Sequence, residues 1–193
     1  SLEQIQTGHS LADTLTILFE HSPILISNLC PQLTGILPTL PPLRSYSQLI
    51  DISLSQVGTW EHDMKAQFIA GHPRIGESKN ISKLSANEQG ATSTTAATPP
   101  EVLARLAHLN ACYEKKYPGL IYITFVNGRT RAAIAEEMED KLGIGHSLSL
   151  DDPVLVDIEP VTVGSPSWIS ELDRAVVDIG LIAKSRLGAL GVE

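Results

Sequence analysis

Residues 120–126, LIYITFV, form the one strand-like run in this chain. The run is apolar and partly β-branched, and Pro118-Gly119 and Asn127-Gly128 close it on either side. A strand needs a partner strand, and no second run of this kind occurs. The reading is therefore an all-α, single-domain multi-helix bundle over residues 1–193, with one short extended segment near 120–126. An extended segment buried between helices still needs partners for its amides. Side chains or water can supply them, and so can a bound polar ligand.

Working outward, Thr98-Pro99-Pro100-Glu101 reads as a capping box with Pro at the first helical position. It opens a helix whose stripe is Val102, Leu103, Leu106, Leu109, Cys112 and Tyr113. Downstream, 129–142 is helical, with Ile134, Met138 and Leu142 in line and Gly143 as the stop. Residues 145–165 read as loop with a β-branched patch. A last helix, about 167–190, carries Ile169, Leu172, Val176, Ile179 and Ala183 at steps of three and four. Continuing that step reaches Arg186, at the edge of the apolar stripe. An inward guanidinium is rarely unpaired. A structural ion pair and an anion or carbonyl clamp are both open readings.

In the amino-terminal half, Ser10 reads as the cap of a helix bearing Leu11, Leu15, Leu18 and Phe19, ending near Glu20-His21. Ser22-Pro23 opens a second helix through Leu33. The proline-rich 35–44 is a loop whose leucines pack down. Ser45 or Ser47 caps a third helix with Leu49, Ile52 and Leu54 as apolar positions. A fourth, about 60–70, turns Met64 and Phe68 inward and delivers His72.

Residues 68–89, FIAGHPRIGESKNISKLSANEQ, hold the densest chemistry. Pro73 disfavours helical backbone at His72, so the helix stops there. Ser85 and Glu88 fit a second capping box, with Ser at the cap and Glu three positions in. An imidazole, a carboxylate and the Gln89 amide are thus candidates to converge. A loop histidine and a plain helix cap account for the same letters.

Composition narrows the function. The chain has 193 residues, 42% hydrophobic and 19% charged, with a net charge of −8. That balance is globular and speaks against a nucleic-acid or anionic-membrane surface. No apolar run reaches the length of a membrane span. Cys30 and Cys112 are too few for a disulfide framework and read as small buried residues. Six histidines include no zinc-type spacing. Neither a phosphate loop nor a nucleophile elbow is present. The remaining set is acid–base plus polar anchoring, with no metal or organic cofactor indicated.

Several stretches together resemble one family: LFEHSP (18–23), GHPRIG (71–76), SANEQ (85–89), TPPE with LARLAHLNACYEKKYPG (98–119), and IAKSRLGAL (182–190). They are similar to the 2-oxo-4-hydroxy-4-carboxy-5-ureidoimidazoline (OHCU) decarboxylases of uric acid degradation. The resemblance implies a cofactor-free lyase that forms (S)-allantoin and carbon dioxide, acting as a homodimer on a small-molecule substrate. By position, His72 resembles the catalytic proton donor and Glu88 its partner. Pro73, Ser85, Ala86, Asn87, Glu88 and Gln89 resemble the substrate-binding segment. Ile121, Tyr122, Ile123, Thr124 and Phe125 align with the backbone that contacts substrate, and Arg186 with a substrate-binding arginine. Tyr117-Pro118-Gly119 departs from the more usual Phe-Gly, and 145–165 looks like an insertion. The chain ends without a Ser-Lys-Leu-type signal, and the expected localisation is cytoplasmic or peroxisomal. A non-catalytic helical module of the same fold, binding a small molecule, is the alternative.

Overall fold

Helices hold most of the described residues. The computed structural model describes residues 1–77, 82–89 and 98–192, and none of these is in a strand. The Ser/Thr/Ala-rich run 91–97 lies outside the described residues. Packing divides the chain into two compact units, Ser1–His72 with Leu172–Glu193, and Pro73–Glu171.

The first unit holds α1 (Leu2–Gln6), α2 (Leu11–Phe19), α3 (Cys30–Ile36), α4 (Tyr46–Gly58), α5 (His62–Ile69) and most of the long α9 (Pro166–Leu190). A π-helical turn, Leu25–Leu29, leads into α3. Pro31 explains it: the ring has no N–H to give and crowds the carbonyl four residues back, and a wider turn relieves both. Ser22 caps the segment, its Oγ accepting from the Leu25 amide at 3.3 Å. The proline-rich loop does pack down. Leu37 and Leu43 are buried, and the Gln6 side chain ties the loop at the Leu37 carbonyl and the Leu43 amide.

The second unit holds α6 (Lys83–Glu88), α7 (Pro100–Lys116), α8 (Arg131–Leu142) and the first residues of α9. The 120–126 run is non-helical, with Leu120, Ile121, Tyr122, Ile123 and Val126 buried. Tyr113 of α7 packs on Tyr117 and Tyr122, at centroid distances of 5.0 and 5.2 Å. Across α7 and α8, Arg105 and Glu139 form an ion pair with side chains 0% and 2% exposed. The same guanidinium donates to the Ser149 and Asp152 carbonyls, and Glu139 accepts the Ser147 amide at 3.1 Å. Residues 147–152 are thus pinned to the core by a buried charge pair. The 145–165 segment keeps apolar side chains exposed, among them Val156.

Three local expectations are corrected, and a fourth, Ser10, is met in position only. Ser85 is not a cap: α6 starts earlier, with the Ser82 hydroxyl accepting from the Ser85 amide at 3.0 Å. Thr98 is not one either, because Pro99 fills the cap position and Pro100 the first helical one. Ser10 stands at the cap of α2 in a left-handed conformation, φ +58°, without a side-chain capping bond among the described residues. In α4 the buried face is Leu49, Ile50, Ser53 and Val57. Ser53 joins that face by returning its hydroxyl to the Leu49 carbonyl, which leaves Ile52 and Leu54 half-buried.

Candidate active site

Three aromatic rings set the first unit's site. Phe19, the last residue of α2, packs on Phe68 near the end of α5 at 5.6 Å between centroids. Trp60 meets Phe68 edge-on at 6.1 Å. The exits of α2 and α5 are therefore neighbours, and they deliver Glu20 and His72. The last turn of α5 closes with the Gly71 amide on the Phe68 carbonyl and the His72 amide on the Ile69 carbonyl. Gly71 lies hard against Ser22: a Cβ there would stand 2.8 Å from the serine Cβ. A glycine before His72 is thus required by the LFEHSP segment.

His72 is 6% exposed, and neither ring nitrogen has a hydrogen-bond partner among the described residues. Such groups cost about 1–3 kcal/mol each when left unsatisfied, and a purely structural core histidine is normally satisfied. Burial pushes its pKa down to about 3, with the Arg186 guanidinium adding to the shift and the Glu20 carboxylate opposing it. At neutral pH the ring is an uncharged imidazole, with one N–H to give and one lone pair to accept.

Arg186 is 1% exposed, so the inward position read from the helical step is realised. Its Nη1 donates to the Ile17 and Leu18 carbonyls at 2.8 and 3.3 Å, two acceptors left open by the end of α2. Its Nη2 donates to Glu20 Oε1 at 2.8 Å. The ion-pair reading of Arg186 is present in the structure, and its partner is the residue that sequence reasoning passed over. Glu20 was taken only as the end of a helix. Its backbone is at φ +65°, ψ 154°, a region that costs a non-glycine residue on the order of 1–3 kcal/mol. The one sequence signal for it was its place in LFEHSP.

The other candidates lie in the second unit. Gln89 is buried, and its amide clasps the loop that follows His72. Gln89 Oε1 accepts the Gly76 amide at 2.9 Å, and its Nε2 donates to the Arg74 carbonyl at 3.2 Å. Asn110 of α7 donates to the Ile75 carbonyl at 3.0 Å. Arg74 pairs with Glu114, one α-helical turn beyond Asn110. Gly76, at φ +88°, meets Leu106. Three of the motifs thus interlock: Pro73–Gly76 is held by Gln89 from one side and by Asn110 and Glu114 from another. Ser85 is buried within α6, and Glu88 ends that helix half-buried, with Ala86 half-buried and Asn87 exposed. In the 121–125 segment the Tyr122 and Thr124 hydroxyls donate to Glu137, and the Phe125 carbonyl accepts from Arg129 at 2.6 Å.

The family model for OHCU decarboxylase matches residues 6–147. The match takes in the α2 exit, His72, the α6 segment, α7 and all of α8. It ends before α9, so Arg186 is placed by the fold and by resemblance alone. No curated protein matches the chain. With well over half of its length matched, the chain belongs to the OHCU decarboxylase family.

Proposed function

We propose that this protein decarboxylates OHCU to (S)-allantoin without a cofactor, with His72 moving the protons and Glu88 as its partner. One observation carries the reading: a buried, uncharged imidazole whose two nitrogens have no partner among the described residues. The substrate has a hydroxyl and a carboxylate on one ring carbon, beside a C=N bond. When the bond to the carboxylate breaks, carbon dioxide leaves and the electron pair flows toward that C=N. Its nitrogen takes up a proton, and an enol remains. The enol oxygen then gives up its proton to become a carbonyl, and the adjacent carbon gains one. The balance is one proton consumed per turnover. The reaction's own C=N is the electron sink, so the protein's task is to hold the ring and carry protons.

A neutral imidazole suits that task, because it can accept the hydroxyl proton and return one to carbon from a fixed side. Delivery from one face sets the handedness of the product. In this reading Glu88 joins His72 in the proton transfers, although it makes no hydrogen bond to the ring here. Arg186, Gln89, Pro73, Ser85, Ala86 and Asn87, with the backbone of Ile121–Phe125, hold the substrate, turning proximity into rate. A homodimer belongs to the same reading, and sedimentation at several concentrations tests it.

His72→Ala is the direct test. General acid–base groups contribute about 10²- to 10⁴-fold, so the variant should lose about that factor while keeping the wild-type helical spectrum. A folded His72→Ala protein with near wild-type turnover removes His72 from the mechanism.

A further inference from the structure

Glu20 is the feature of the first unit that the proposed chemistry leaves unused. It stands at a helix exit on backbone that glycine would adopt without strain. The chain nevertheless places a carboxylate there. That carboxylate takes one arm of the buried Arg186 guanidinium at 2.8 Å, while the other arm is fixed by the Ile17 and Leu18 carbonyls. The guanidinium plane is thus set from two sides. The residues on either side of Glu20 are also tied down. Phe19 packs on Phe68, and Ser22 is in close contact with the Gly71 position, directly before His72. A carboxylate that only neutralised a buried arginine would not need the strained backbone.

We infer that Glu20 is a positioning residue for the decarboxylation, holding Arg186 in place beside His72 and balancing its charge there. The inference rests on the proposed function and extends it to a residue that does not itself touch the substrate. The two charges acting on the His72 ring have opposite effects, Arg186 disfavouring protonation and Glu20 favouring it. Losing the carboxylate therefore does two things. It releases one arm of the guanidinium, and it leaves a positive charge that opposes a proton on His72.

The experiment compares wild type with Glu20→Gln and Glu20→Asp, each assayed on OHCU at a temperature where circular dichroism shows it folded. Glu20→Gln should raise KM and lower kcat/KM at least tenfold. It should also move the acid limb of kcat to lower pH by half a unit or more. Glu20→Asp keeps the charge, so it should recover part of kcat and leave the limb in place. A merely structural ion pair predicts a lower melting temperature with unchanged constants per folded molecule and an unmoved limb, and that result overturns the inference. Where Glu20→Gln does not fold, Glu20→Asp decides it through KM: a rise of severalfold supports the inference, and a wild-type KM overturns it. A wild-type protein that yields racemic allantoin at the uncatalysed rate ends the decarboxylase reading and this inference together. An active wild type with an indifferent Glu20→Gln ends the inference alone.

Discussion

At the scale of residues, the buried imidazole has a consequence for acid stability. The unfolded chain protonates His72 near its ordinary value of about 6.5, whereas the folded chain resists until about 3. Between those values the unfolded state binds more protons, so stability falls as the pH is lowered, by up to about 1.4 kcal/mol per pH unit. The contribution is intact above the upper value and gone below the lower one. His146, exposed and paired with Asp140, is shifted upward and acts in the opposite sense. His72→Gln should flatten the slope between pH 6.5 and 4 in urea titrations. An unchanged slope would mean that His72 is solvated or charged in the folded state. Gln89 bears a second prediction. Gln89→Ala leaves the Gly76 amide and the Arg74 carbonyl without their clasp, at a cost of about 1–3 kcal/mol. A thermal melt identical to wild type would return Gln89 to a substrate-only role. Arg186 was legible as an inward residue because helical steps are regular. Glu20 was not, because its partner lies 166 positions away and its backbone breaks the pattern that sequence periodicity follows.

At the scale of elements, the helices were legible from apolar spacing and the caps only in part, Ser22, Ser45 and Gly143 holding theirs. Ser85 and Thr98 both satisfy a capping pattern, yet Ser82 and Pro99 occupy the cap positions. The apolar residues constrain which face is buried, whereas several neighbouring polar residues can each start a helix. The strand-like run was read correctly as lacking a sheet. What held 145–153 was invisible, because a buried Arg105–Glu139 pair on two helices resembles ordinary surface charge in sequence. Removing one partner of such a pair strands the other, at about 3–5 kcal/mol. Glu139→Gln should lower the urea midpoint accordingly and free the segment's amides to exchange. A loss under about 1 kcal/mol would mean that the guanidinium is satisfied by the Ser149 and Asp152 carbonyls alone.

At the scale of the molecule, the family match and the packing describe the same motifs in different terms. LFEHSP and GHPRIG meet in the first unit through the Phe19–Phe68 pair and the Ser22–Gly71 contact. GHPRIG, SANEQ and the α7 motif meet in the second through Gln89, Asn110 and Glu114. Gln89, Asn110 and Glu114, which belong to those motifs, fasten the Arg74–Gly76 loop. Sequence reasoning found them as a set because the set holds one backbone path. The central claim is that this path serves stereospecific loss of carbon dioxide. Its most direct test generates OHCU in situ from urate and follows the circular dichroism of allantoin with and without the protein. The account predicts (S)-allantoin in excess, formed faster than the spontaneous reaction and in proportion to protein added. Racemic allantoin at the spontaneous rate would contradict it.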